Sequence, residues 1–182
     1  FARRVSKEVH PASTLREELA RAVARTGGVL PPERTRFLYD GDVLCAELRS
    51  EEQGGVRVHV HEAGSFAPLL QVERGQVLTV VNDHLGMPKE LVDGQGRVAW
   101  AAAHSAWGRV LQVQRDDGAA EVAAPFRLLG QYADEETGLC YTRFRYFDAD
   151  AGRWCSPDPL RLQGGRNLFS FNQSPTNGLD PL

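Results

Sequence analysis

Two aspartates near the end of the chain, Asp158 and Asp180, each precede a proline and lie 22 residues apart. Two carboxylates held close together cannot both ionise at ease, so one keeps its proton while the other stays a base. Such a pair hydrolyses an amide: the base activates a water, and the acid protonates the carbonyl or the leaving amine. When the scissile bond belongs to the same chain, its presentation supplies effective molarity, and modest acid–base power suffices for one turnover. A turn at Gly164-Gly165 would bring the second aspartate back towards the first. Asp-Pro is equally a turn starter, because Asp caps the turn and Pro presets φ. Asp134 and Asp150 are neighbouring carboxylates, but each falls in a repeated turn and is read as structural.

Other residues offer weaker chemistry. His59 and His61 share one strand face, yet no third ligand follows at a metal-binding spacing, so no metal site is expected. Cys155 precedes Asp158 by three residues with no His nearby, which suits a small buried hydrophobe better than a nucleophile. His84 sits in a loop signature where an imidazole can hold backbone carbonyls. Trp100, Trp107 and Trp154, with Tyr141, Phe144 and Tyr146, fall in strand-like segments, where aromatics support cross-strand pairs. No phosphate loop, Ser-His-Asp order or dinucleotide fingerprint occurs, and no cofactor is expected.

The elements that position these residues are mostly strands. Of 182 residues, 42% are hydrophobic and 25% charged, so the chain can bury a core; 18 Gly and 10 Pro argue against a helical bundle. The net charge of −3, with only two lysines and dispersed arginines, gives no footprint for nucleic acid. No apolar run reaches the roughly 20 residues of a membrane span. Three cysteines without CxxC spacing support neither a disulfide framework nor structural zinc. The chain opens on Phe1-Ala2-Arg3-Arg4, which reads as the middle of a strand and as a piece of something longer.

One helix is expected. Thr14-Leu15-Arg16-Glu17 has capping-box form, and Leu15, Leu19, Ala22 and Val23 follow at helical spacing until Gly27-Gly28. It interrupts strands expected at Arg3–Val9 and Thr35–Tyr39, as an insertion in a hairpin. Elsewhere short strands recur between Gly, Asp and Pro, the pattern of antiparallel β structure. Val56, Val58 and Val60 alternate with Arg57, His59 and His61, which predicts a dry and a wet face. Gln76–Asn82 is apolar on both faces and predicts cover on both sides. The chain also repeats itself: Tyr132-x-Asp134-x-x-x-Gly138 recurs 14 residues on as Tyr146-x-Asp148-x-x-x-Gly152, one hairpin built twice.

These repeats, with Arg143–Asp148 and Gly152-Arg153-Trp154, resemble the tyrosine–aspartate (YD) repeats of Rhs proteins. Asp83-His84-Leu85-Gly86-Met87-Pro88 is similar to that family's Asp-His-Leu-Gly-x-Pro element. Ser156-Pro157-Asp158-Pro159 through Asp180-Pro181-Leu182 resembles the C-terminal signature of the Rhs core, with Gly164–Phe169 at its centre. The resemblance covers residues 1–11 and 35–182. It implies a mainly β fold: a segment of a hollow antiparallel YD-repeat β-shell, with one inserted α-helix. Residues 1–125 would form shell wall, with the helical insertion at about 12–28, and residues 126–182 the core with an autoprotease segment.

The resemblance further implies that the shell encloses a C-terminal toxin and that an aspartyl autoprotease, acting once in cis, frees it. Asp158 and Asp180 fall on the two catalytic aspartates, Arg153 on the basic residue before the first, and Leu182 near the cut. The implied partners are the N-terminal remainder of the shell, the toxin, and type VI secretion spike proteins. Many such proteins are made in the bacterial cytoplasm and exported as effectors; related shells occur in insecticidal toxin complexes. The alternative is a non-enzymatic shell or cell-surface interaction module whose Asp-Pro motifs are only turns. Four departures stand out: Arg161 replaces the family's Gly, Ser174-Pro175 its Asn-Pro, Phe169 and Phe171 its two tyrosines, and the chain stops at Leu182 where the family continues with Gly-Leu.

Overall fold

The structure, a computed structural model, describes residues 3–9, 33–50, 55–128, 130–163, 165–171 and 174–176. The expected helix at 12–28 lies outside the described residues. The strands on either side of it do pair, β1 (Ser6–Val9) antiparallel to β2 (Glu33–Asp40), as an insertion in a hairpin requires. The meander continues through β3 (Val43–Leu48), β4 (Val56–His61), β5 (Pro68–Glu73), β6 (Gln76–Asn82), β7 (Pro88–Val92), β8 (Val98–His104) and β9 (Val110–Gln114). Each strand pairs with its sequence neighbour, giving one nine-stranded antiparallel sheet in sequential order. A second sheet follows, of β10 (Tyr132–Asp134), β11 (Leu139–Thr142), β12 (Arg145–Asp148) and β13 (Arg153–Trp154).

One turn design recurs along the large sheet. Asp83 Oδ1 accepts the amides of Leu85 (2.9 Å) and Met87 (3.0 Å), and Asp93 Oδ1 accepts those of Gln95 and Arg97 at the same distances. Ser105 Oγ takes the corresponding bond from Arg109 at 3.2 Å. The fourth residue of each turn is a glycine at positive φ, namely Gly86, Gly96 and Gly108, where a side chain would be strained. The two YD repeats are likewise two hairpins, β10–β11 and β12–β13. Their turns differ in detail. Asp148 Oδ1 accepts the amides of Asp150 and Ala151, whereas Asp134 spends its carboxylate on Arg4 and Lys7.

The segment after β9 folds back over one face of the large sheet. Val122 and Ala124 pack on Leu78, Val80, Leu91, Ala99 and Trp100, and Phe126 with Tyr132 packs on Phe37 and Leu44. The opposite face carries no such cover among the described residues. Two expectations are corrected here. On β4 the valines face outward, with Val56 51% exposed, while His59 is buried. On β6 only Leu78 and Val80 are buried, and Val77 is 55% exposed, so the strand is covered on one side. The inversion on β4 has a physical cause: Arg57 pairs with Glu47 and Glu73, His59 bonds to Glu47, and the Tyr132 hydroxyl donates to the same Glu47 carboxylate, so these polar side chains can be buried together.

Candidate functional site

The second sheet builds the surroundings of Asp158. Along β12, alternate residues point to one side, and Arg145 and Phe147 are buried there. Trp154, on β13 opposite Phe147, is fully buried; Trp107 and Phe171 complete the cluster. The Arg145 guanidinium lies over the Trp154 ring, 4.0 Å from its centroid. A cation on an aromatic face in a desolvated site is strongly held.

After β13 the chain runs Cys155-Ser156-Pro157-Asp158-Pro159, and the two prolines keep the backbone around Asp158 extended. The Asp158 amide donates to the Leu168 carbonyl at 2.8 Å, tying the segment to the Asn167–Ser170 loop. The Asp158 carboxylate is buried, its residue only 5% exposed. Its Oδ1 accepts the Leu160 amide at 2.7 Å, and its Oδ2 lies 3.5 Å from Arg145 Nη2. Asp158 thus starts a turn with one oxygen and faces a buried cation with the other. Arg161, which follows at φ +54°, opens a short 3-10 turn, Arg161–Gln163.

The remaining sequence-derived site residues are placed as follows. Asp180 and Leu182 lie outside the described residues. Arg153 is exposed on β13, with its guanidinium 5.2 Å from the Phe169 ring centroid, and it makes no ion pair with Asp158. Asp150 pairs with Arg109 at 2.6 Å on the surface. Cys155 is exposed, not the buried hydrophobe expected from the sequence, and what burial it has, with the Asp148 carboxylate, pushes its thiol up, against thiolate chemistry. His84 Nε2 donates to the Thr176 carbonyl at 3.0 Å, joining a turn of the large sheet to the C-terminal segment.

Sequence reasoning missed three groups. The first is Arg145. Its signal was the alternation on β12, which sets it on the same face as Phe147. The second is Arg4, which is enclosed by the rings of Phe37, Tyr132, Tyr141 and Tyr146, with the Arg4 guanidinium 4.5 Å from Tyr141 and 2.7 Å from Asp134 Oδ2. The repeat's tyrosines and aspartate therefore clamp a cation from the first strand region onto the second sheet.

The third is a buried polar layer. Glu47 Oε1 accepts from His59 Nε2 at 2.9 Å, and Oε2 accepts from the Tyr132 hydroxyl at 2.8 Å. Burial pushes the Glu47 carboxyl up, but the His59 bond, the Arg57 charge and the Tyr132 hydroxyl outweigh it and hold it at about 2. Burial pushes His59 down, against the pull of Glu47, so its imidazole is neutral and donates through Nε2. That nitrogen is therefore committed to a carboxylate rather than open to a metal.

Comparison with known proteins agrees with this architecture. A family model described as RHS protein matches residues 80–114. The chain is 34% identical over 190 residues to the double-stranded DNA deaminase toxin A of Burkholderia cenocepacia, with 91% of this chain and 13% of that protein covered. It is 35% identical over 201 residues to the toxin protein Tse5 of Pseudomonas aeruginosa, with 92% and 14% covered. The chain thus spans about one seventh of the length of these relatives. Among solved structures, the complex titled TcdB2-TccC3 without hypervariable C-terminal region aligns with TM-score 0.67 at 21% identity, covering 98% of this chain and 8% of that one. The fold is therefore that of a segment of these much larger β structures.

Proposed function

Because this chain is a member of the Rhs repeat proteins, we propose that it is wall and closing segment of a shell around a C-terminal toxin, and that it cuts its own chain near Leu182. The relatives named as toxins support the first part, since each is several times longer than the matched segment. The observation that carries the second part is the burial of Asp158 beside Arg145 in a segment that starts with an Asx-type turn. A turn needs only Oδ1 and a water-exposed carboxylate; a buried carboxylate facing a buried guanidinium exceeds that need.

The reaction is amide hydrolysis. One aspartate of the pair, as carboxylate, takes a proton from water while the water oxygen bonds to the scissile carbonyl carbon. The other, as carboxylic acid, gives its proton to the amide nitrogen as the carbon–nitrogen bond breaks. The products are a new carboxyl terminus and a new amine. Asp180 supplies the second carboxyl, and presentation of residues near Leu182 by the same chain makes one turnover sufficient. The wider setting is export as a bacterial effector, with secretion spike proteins as partners and the toxin as cargo.

Intact mass of the full-length protein tests this reading. Wild type is expected to appear as two fragments divided at or just beyond Leu182, and Asp158→Asn and Asp180→Asn as single folded chains. Cutting that persists in both variants would overturn it. A break between Asp180 and Pro181 that appears only in acid would mean simple Asp-Pro lability and would also overturn it.

A further inference from the structure

Arg127, in the segment that folds back over the large sheet, is a mostly buried guanidinium with no carboxylate in contact among the described residues. Arg4 and Arg57 are enclosed as well, but carboxylates meet them. Burial pushes all three guanidinium pKa values down; Asp134 and Tyr146 beside Arg4, and Glu47 with Glu73 beside Arg57, more than reverse this, whereas Arg127 stays lowered. The groups near enough to offset its burial in part are Cys140, Glu135 and Tyr132. Burial pushes the Cys140 thiol up to about 11 and the Tyr132 hydroxyl up too, so both are neutral at physiological pH. Glu135 is exposed and forms no ion pair among the described residues. A cation taken out of water without a counter-ion is costly, which makes the place a receptor for an anion.

The geometry shows which side of Arg127 is free. Its Nη1 donates to the Ala124 and Phe126 carbonyls, both at 2.8 Å, which sets the plane of the group. The Nε and Nη2 edge, the one that grips a carboxylate side-on, has no protein partner among the described residues. Arg127 lines an open pocket of about 310 Å³ between the start of β9, the β10–β11 hairpin and the β12–β13 turn. Val110, Ala133 and Ala149 give it apolar walls. Its other contacting charges are already paired, Arg109 with Asp150 and Asp134 with Arg4 and Lys7.

We propose that this pocket binds a monocarboxylate on a short apolar stem, gripped side-on by Arg127. The carboxylate comes from a free short-chain acid or from the acidic side chain of a peptide, and the apolar walls receive the stem in both cases. One negative charge balances the one cation that lacks a partner. A doubly charged phosphate would be repelled by the carboxylates of the same pocket, Glu135 among them. Two N–H groups of one rigid fork on one carboxylate make a stronger and more selective contact than a surface ion pair. The pocket shares no residue with the surroundings of Asp158, so the inference does not depend on self-cleavage.

The test is ligand-observed NMR on the full-length protein with three probes: butyrate, the blocked tripeptide acetyl-Gly-Glu-Gly-amide, and inorganic phosphate. Wild type is expected to bind a carboxylate probe at millimolar concentration, and phosphate at least tenfold more weakly. Tighter binding of butyrate assigns the site to a free acid, and tighter binding of the tripeptide to the acidic side chain of a protein partner. Arg127→Gln is expected to weaken carboxylate binding at least tenfold, and Arg127→Lys to recover only part of it, because an ammonium has no side-on edge. Glu135→Gln leaves Arg127 and its carbonyl contacts in place, and is expected to tighten binding severalfold by removing the neighbouring negative charge. It decides the matter should the Arg127 variants fail to fold, which tryptophan emission and protease resistance report. Four results would each overturn the inference: neither carboxylate bound by wild type, binding unchanged in a folded Arg127→Gln, no tightening in Glu135→Gln, or phosphate bound as well as butyrate.

Discussion

At Arg161 the backbone takes φ +54°, a conformation glycine adopts at no steric cost and other residues only with strain of about 1 kcal/mol. The residues that resemble the family's Asp-Pro element suggest a glycine there, and this turn takes its positive φ with arginine in place. Arg161→Gly is therefore expected to stabilise the protein by about 0.5 to 1 kcal/mol, read as an upward shift in urea midpoint. An unchanged or lower midpoint would mean that the exposed arginine side chain makes up for the strain. Tyr132 makes the opposite kind of contribution. Its hydroxyl donates to the buried Glu47 carboxylate, and its ring packs edge-on against Phe37 at 5.3 Å, so it joins the second sheet to the first. Tyr132→Phe keeps the ring and removes the donor. About 1.5 to 3 kcal/mol is expected to be lost, the worth of a hydrogen bond to a buried charge, and equilibrium denaturation measures it.

The hairpins are legible from residue spacing alone, because a 14-residue offset of Tyr, Asp and Gly places turn and strand together. The β2 and β12 strands are legible for the same reason: the turn residues that bound them are chosen by local backbone geometry. Which way a strand faces is not. A period of two says that β4 has two unlike faces, yet the buried one is set by Glu47, Glu73 and Tyr132, which come from other strands. Arg145 is hidden by its type, since arginine reads as surface until a buried ring and a carboxylate are known to meet it. Asp158 is legible as a residue of interest from its Asp-Pro spacing; its cation is not. In the turn of the β12–β13 hairpin, Gly152 takes φ +64° directly against Trp107, where an added Cβ would lie 2.8 Å from the indole Cε2 and Nε1. Gly152→Ala must displace Trp107 or the turn as well as strain φ, so a loss of at least about 2 kcal/mol is expected. A loss below about 0.5 kcal/mol would show that the ring moves freely.

Across the whole molecule, His61, His104 and Glu47 are among the groups that set how stability answers to acid. Burial pushes His61 down to about 4, with the neighbouring His59 adding to it; burial with the Lys89 and Arg127 charges does the same to His104. The unfolded chain binds those protons near pH 6.5 and the folded one only near 4, so stability falls as pH drops through that window. Glu47, held at about 2, extends the fall from about pH 4.5 down to about 2, because the unfolded carboxyl takes up its proton first. Denaturant midpoints are expected to be highest above about pH 7 and to decline steadily below about pH 6.5; a flat profile from about pH 7 to 4 would contradict this assignment. The large sheet also leaves an apolar outer face, with Val56, Val58, Val60, Val77 and Val81 exposed. A face of this kind is costly in water and suits a chain that works as one wall of a larger enclosure.

The proposed self-cleavage depends on one geometric claim, that Asp158 and Asp180 act as a pair. The most direct measurement is an experimental structure of the uncut full-length protein carrying Asp158→Asn, read at the side chains of residues 158 and 180. The expected result is a residue 180 carboxyl within about 4 Å of the residue 158 side chain, or joined to it through one water, with residues near Leu182 lying over both. An ordered Asp180 more than about 10 Å away, with residue 158 facing only Arg145 and the Leu160 amide, would contradict the paired-aspartate mechanism and leave a structural turn in its place.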